Sequence, residues 1–238
     1  DVSSQNSRAA DYYLKIEGIK GESALATTDL DGLTITGGLT VASRGITQKF
    51  SGHKLETSDM YLKIDGIAGE RSSVDLSNSV VQQNLNIHTS GAVDVSATSA
   101  RAVDMFLKMA MLAASDAPSS ITLGDLDLDG RLDIVSRGGL DVSGSALRAA
   151  DMFLKVTDIR GEAAVASHIE LTDAIFGDQL QVVMGGGDDT VTVARSTVPG
   201  ASWFDGGSGF DALWLVDNQF TLEPVLKGWE IQETQLPK

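Results

Sequence analysis

Two stretches late in the chain combine residue types able to hold a hard cation. Met184-Gly185-Gly186-Gly187-Asp188-Asp189-Thr190-Val191 and Asp205-Gly206-Gly207-Ser208-Gly209-Phe210-Asp211 set glycines beside aspartates. Glycine lets a turn backbone come close to an ion, and turn carbonyls with a carboxylate supply hard oxygen ligands. Gly185, Gly187, Asp189, Gly206, Gly207, Gly209 and Asp211 are therefore candidate calcium ligands, and calcium is the one candidate cofactor. Plain glycine-rich β-turns account for the same residues without an ion. Gly187 and Gly209 lie 22 positions apart, which suits one coil of a large β-helix better than a nine-residue ion-binding repeat.

A second chemistry needs paired carboxylates, one as acid and one as base. Asp94 and Asp141, with Asp125, Asp127 and Asp133 nearby, are the seeds for polysaccharide cleavage on a strand face, but the first two are equivalent positions of a repeat and carry a structural explanation as well. The three histidines, His53, His88 and His168, share no H-E-x-x-H or equivalent spacing. No cysteine is present, and neither a G-x-S-x-G elbow nor a P-loop occurs. The expectation is a non-enzyme with no catalytic residue.

The elements that position these groups follow from a repeat. Asp11-Tyr12-Tyr13-Leu14-Lys15-Ile16 returns as Asp59-Met60-Tyr61-Leu62-Lys63-Ile64, as Asp104-Met105-Phe106-Leu107-Lys108-Met109, and as Asp151-Met152-Phe153-Leu154-Lys155-Val156, with the aspartates 48, 45 and 47 residues apart. Gly18-Ile19-Lys20-Gly21-Glu22, Gly66-Ile67-Ala68-Gly69-Glu70 and Asp158-Ile159-Arg160-Gly161-Glu162 follow three of the copies; the third copy reads Met111-Leu112-Ala113-Ala114-Ser115 instead. Apolar residues recur with period two, as in Leu14/Ile16, Leu39/Val41, Leu85/Ile87 and Val191/Val193, which reads as short strands bounded by turn residues.

Four units of about 47 residues, each making about two coils, predict an all-β, right-handed parallel β-helix, with a sandwich or barrel as the alternative. The expected organisation is a polar N-terminal arm over 1–8 and a repeat solenoid over 9–194, with units near 9–56, 57–101, 102–148 and 149–194. A final coil and C-terminal cap over 195–238 would use Trp203, Phe204, Trp214, Phe220 and Trp229. Stacking would put Asp11, Asp59, Asp104 and Asp151 in one column, Leu14, Leu62, Leu107 and Leu154 in a second, and Lys15, Lys63, Lys108 and Lys155 in a third. Like charges would then sit two coils apart, about 9.6 Å, as surface and turn decoration.

Composition narrows the partners. The 238 residues carry a formal net charge of −15, which disfavours nucleic acid and anionic membranes, and no apolar run is long enough to span a bilayer as a helix. The chain begins at Asp1 without an initiator methionine, as a mature secreted chain or an expressed fragment would.

Two resemblances add to this. Strands such as Leu33-Thr34-Ile35-Thr36-Gly37-Gly38-Leu39-Thr40-Val41, with Gly185 to Val193, Asp205 to Leu213, Asp217-Asn218-Gln219-Phe220 and Trp229-Glu230, resemble the extracellular β-helical repeat regions of large planctomycete-type surface proteins. That resemblance implies adhesion or envelope structure. Asp59 through Glu70, and likewise Tyr13 through Ser23, resemble the opening strand of the type VI secretion tube protein, which implies a ring or tube component. The combined expectation is a structural or adhesive protein of the cell surface or extracellular space, acting by self-association or on another surface protein, with filaments as one outcome. Glycan binding or cleavage and a calcium-stabilised module are the alternatives.

Overall fold

A computed structural model describes residues 1–18, 25–113 and 117–235. Within them every strand pairing is parallel and no helix occurs. The chain forms a parallel β-solenoid, the right-handed β-helix expected from the repeat, and the barrel and sandwich are excluded.

Register fixes the coil. Leu14 pairs with Val41 and Val41 with Leu62, steps of 27 and 21 residues. The ladder continues through Ile87, Leu107, Ile134, Leu154, Val182 and Phe204 to Leu226. Long and short coils alternate through the first seven steps, and that alternation is why the sequence repeats every two coils rather than every coil. The surplus lies after each Asp-to-Lys hexapeptide, for example between Asp65 and Arg71 or between Thr157 and His168. These are the segments where the glycine-glutamate turns were expected. Ile19, Lys20, Gly21 and Glu22, and likewise Ala114 and Ser115, lie outside the described residues.

The four repeat leucines stand in one inward column separated by Val41, Ile87 and Ile134. Leu62, Leu107 and Leu154 are fully buried, while Leu14, in the first coil, is only partly covered. Successive strand residues point to opposite faces, so each coil places every second residue of Asp104–Ala110 inside. A buried leucine in such a stack contributes roughly 1.5–3 kcal/mol, and no single coil could hold its apolar face without the next.

One backbone feature recurs once per coil. Asn78, Ser99, Asp125, Ala146, Asp173, Arg195 and Asp217 all have φ between 48° and 58°. They turn the same corner between the eleven-stranded sheet and a ladder of mostly two-residue strands such as Arg101–Ala102 and Arg148–Ala149. A left-handed residue at a fixed corner closes each coil without a long loop.

The ends differ from the expectation. Residues 1–8 are no free arm: Val2–Ser3 pairs with Thr28 and Asp29, and Arg8–Ala9 pairs with Thr34 and Ile35, so they belong to the first coil. At the other end the chain makes further coils through Ser202–Asp205 and Val225–Lys227. Trp229 packs against the core and donates its indole N–H to the Phe204 carbonyl at 3.0 Å, and Phe220 meets Phe204 edge-on. Trp203 is exposed and Trp214 points outward, so only part of the aromatic group covers the end. Leu236–Lys238 lie outside the described residues.

Candidate functional site

The repeat aspartates share one task. Asp11 Oδ1 accepts the Gly38 amide at 2.9 Å, Asp59 Oδ1 the Asn84 amide at 3.3 Å, Asp104 Oδ1 the Arg131 amide at 2.7 Å and Asp151 Oδ1 the Gln179 amide at 3.1 Å. Each carboxylate in a hexapeptide coil captures the amide of the residue in register with it in the next coil, and at Gly38 this lies where the ladder to the following coil shifts register, between Ile35 and Gly38. Asp104→Ala should therefore cost about 1–2 kcal/mol in denaturant unfolding, and Asp104→Asn, which keeps the acceptor oxygen, markedly less. Equal losses in the two variants would contradict this role.

The glycine-aspartate turns stack on one another. Gly186 bridges Ser208, the Ser208 amide donates to the Gly185 carbonyl at 2.9 Å, and Gly187, Gly207 and Gly209 all have positive φ. Their spacing is that of one coil. Asp189 and Asp211 turn inward rather than toward a common point outside: the Ser167 amide donates to Asp189 Oδ1 at 2.7 Å, the Asp189 amide to Asp211 Oδ1 at 2.8 Å, and the Asp211 amide to Glu230 Oε2 at 2.7 Å. Earlier coils do the same with serine, the Gln48 amide reaching Ser72 Oγ and the Leu140 amide Ser167 Oγ. One polar column thus runs up a corner of the solenoid and changes from serine to carboxylate near its end.

That change leaves two buried oxygens without a partner, Oδ2 of Asp189 and of Asp211. Burial pushes the Asp189 carboxyl up to about 7, against the lowering effect of its hydrogen bond from Ser167 and with the negative charges of Asp211 and Asp158 adding to the rise. Asp211 is raised as well, chiefly by burial, with Glu230 and Asp188 contributing. Among the described residues no group of three or more His, Cys, Asp or Glu side chains is arranged to hold a metal ion. Of the seven candidate ligands, the two carboxylates are committed to backbone amides through one oxygen, and only the second oxygen of each is free for a proton or a cation.

The carboxylates considered for cleavage separate. Asp94 and Asp141 share a column of the eleven-stranded sheet with Ser120 between them, whereas Asp133 lies on the other sheet and Asp125 at a corner. Asp94 is engaged by Arg71 and by the Ser120 hydroxyl. His53 and His168 do not join His88, which sits in the lysine column between Lys63 and Lys108 with its ring edge-on to Tyr61 and Phe106 at 5.4 Å. Burial and the two lysines hold its pKa below the usual histidine value.

The lysine column expected from the repeat is present, and beside it runs an aromatic row that the sequence reading did not single out. Lys15, Ala42, Lys63, His88, Lys108, Val135 and Lys155 follow one another up the outer face, and two residues away runs a parallel row of Tyr13, Thr40, Tyr61, Asn86, Phe106, Asp133, Phe153, Gln181 and Trp203. The Tyr-x-Lys and Phe-x-Lys spacing within each hexapeptide was the signal available for it. No family model matches the chain, and no match is found among curated proteins or among solved structures.

Proposed function

We propose that the protein is a structural scaffold of the cell surface or extracellular space that presents regular side-chain rows on a stiff solenoid and extends itself by adding coils at its ends. The observation that carries this reading is that, among the described residues, the first and last coils each hold a strand paired on one side only. Tyr12–Glu17 pairs on one side only, with Leu39 to Arg44, and Ile231–Gln235 on one side only, with Ala212 to Val216. Beside the last edge an open cavity of 530 Å³ is lined by Leu215, Phe220, Leu222, Pro224 and Leu226 among others, and Leu222, Val225 and Ile231 are exposed. A strand paired on one side and flanked by apolar side chains accepts a further parallel coil, and in this reading a second copy of the chain supplies it by strand addition.

Sedimentation and electron microscopy of the purified chain test the reading. Concentration-dependent end-to-end association is expected, and Leu222→Lys with Ile231→Lys should reduce it by placing charge at the joint. A chain that stays monomeric at all concentrations, or variants that assemble as well as the parent, would overturn it.

A calcium-stabilised module is the second reading, favoured by the unpartnered Oδ2 atoms of Asp189 and Asp211, the latter beside Gly206 of the glycine turn.

A further inference from the structure

The outer face of the long sheet is organised at the spacing of two coils. Tyr61, Phe106 and Phe153 stand in alternate coils of one row, and Lys63, Lys108 and Lys155 in the same coils of the neighbouring row. At the ordinary strand separation, equivalent groups are about 9.6 Å apart along the solenoid axis, and each aromatic ring is about 7 Å along the strand from its lysine. The intervening coils contribute Asn86, Asp133, Ala42, His88 and Val135, and of these His88 sets its ring edge-on to Tyr61 and Phe106 at 5.4 Å.

Three properties define what fits such a surface. The aromatic side chains are half-buried and therefore held in place, while Lys108 and Lys155 are exposed and, among the described residues, form no ion pair. Lys15 and Lys63 are paired with Glu17 and Asp65, so the unpartnered positive charge of the row is that of Lys108 and Lys155, in a chain of net charge −15. The face also carries two shallow depressions, one of 210 Å³ lined by Lys15, Arg44 and Lys63 together with Glu17 and Asp65, the other of 90 Å³ lined by Arg131, Phe153 and Gln181 together with Asp151. The Arg131 guanidinium, itself paired with Asp133, lies over the Phe153 ring at 5.7 Å.

We infer that this face binds a linear anionic polysaccharide laid along the solenoid axis, with one carboxylate per disaccharide. An extended disaccharide repeats at about 10 Å, close to the two-coil spacing. Each repeat can rest an apolar sugar face on Tyr61, Phe106 or Phe153 and bring its carboxylate to the lysine of the same coil. A single-stranded nucleic acid fits less well, because it carries a phosphate at every nucleotide and needs a denser cationic track than one lysine per two coils inside a strongly acidic protein. Binding of this kind needs from the scaffold only the stiffness of the coil stack, and it holds for a single unassembled copy.

Isothermal titration of the full chain with hyaluronan oligosaccharides at low salt tests it. Affinity should rise stepwise from the disaccharide to the hexasaccharide, which reaches from Lys63 to Lys155, and fall with added salt. A neutral chitin hexasaccharide should bind more weakly. The triple variant Lys63→Gln, Lys108→Gln, Lys155→Gln should lose about tenfold or more in affinity, whereas Lys49→Gln, on the other sheet, should bind as the parent does. Lysine-to-glutamine changes at exposed positions leave the core intact, and the melting transition verifies this. The inference is overturned by an absence of binding to hyaluronan and to polygalacturonate alike, by an unchanged affinity of the triple variant, or by tighter binding of an oligothymidylate than of the glycan. Sedimentation in the same buffer reads self-association separately, so failure of the glycan site and failure of the scaffold reading give different results.

Discussion

Replacing Gly207 by alanine is expected to unfold the last coils of the solenoid, at a cost of about 4 kcal/mol or more. Gly207 has a φ of 88°, and a Cβ placed there would overlap the Gly185 carbonyl oxygen and lie 2.7 Å from that of Met184. Those atoms belong to the backbone of the coil beneath, so no side chain can swing aside to make room. The clash can be relieved only by separating the two stacked turns, and that breaks the hydrogen bond from the Ser208 amide to Gly185 and the inward placement of Asp211. Gly45→Asn is the matching control: Gly45 has a φ of 66° and nothing within 4 Å of the point where a Cβ would stand, so only the mild left-handed penalty applies, about 1 kcal/mol or less for asparagine. Denaturant unfolding followed by circular dichroism separates the two. If Gly207→Ala were no worse than Gly45→Asn, close coil contact would not be what selects glycine in these turns.

The second large effect is a fall in stability with rising pH. Asp189 has a folded-state pKa of about 7 against an ordinary carboxylate value near 3.8. A raised acid is bound to its proton in the folded chain where the unfolded chain has already lost it. Its contribution is therefore complete below about pH 4 and is lost progressively as pH rises through about 7, a total on the order of 4 kcal/mol from this group. Asp211 acts in the same direction. Asp189→Asn keeps the oxygen that accepts the Ser167 amide and replaces the unpartnered Oδ2 by a neutral group, so it should be more stable than the parent at pH 8 and about equal to it at pH 4. Its stability curve over that range should be flatter. A parent curve without slope between pH 4 and 8, or an Asp189→Asn curve as steep as the parent's, would contradict this. Repeating the melt at pH 8 with calcium and with chelator assigns the free oxygens: a transition raised by calcium in the parent but not in Asp189→Asn supports the calcium-stabilised module, and an unchanged transition removes it.

The two effects share a cause. The polar column at this corner satisfies each buried amide from the coil above, and serine does so in Ser72 and Ser167 without charge. In the last coils the acceptors are carboxylates, so stability near that end becomes dependent on a proton or a cation. Glycines beside them let the coils approach closely enough for the carboxylates to reach.

By itself the sequence determined the coil. Asp-x-x-Leu-Lys recurring every 45 to 48 residues, with apolar residues at every second position, fits stacked parallel strands better than the sandwich or barrel it left open, because stacking buries four equivalent leucines together. It also placed Gly187 and Gly209 one coil apart. Tertiary structure alone decided what those residues do. The aspartates of the hexapeptides read as surface charge until their oxygens are seen on the amides of Gly38, Asn84, Arg131 and Gln179, and Asp189 and Asp211 read as ion ligands or as turn residues, whereas the structure shows each facing inward with one oxygen on a backbone amide. The N-terminal eight residues read as an arm because their pairing partners, Thr28 to Ile35, lie a full coil away. Composition and periodicity report which face a residue occupies, but a hydrogen bond between coils depends on register at the ångström level, and that is set by where each coil is long, where it is short and where the ladder slips.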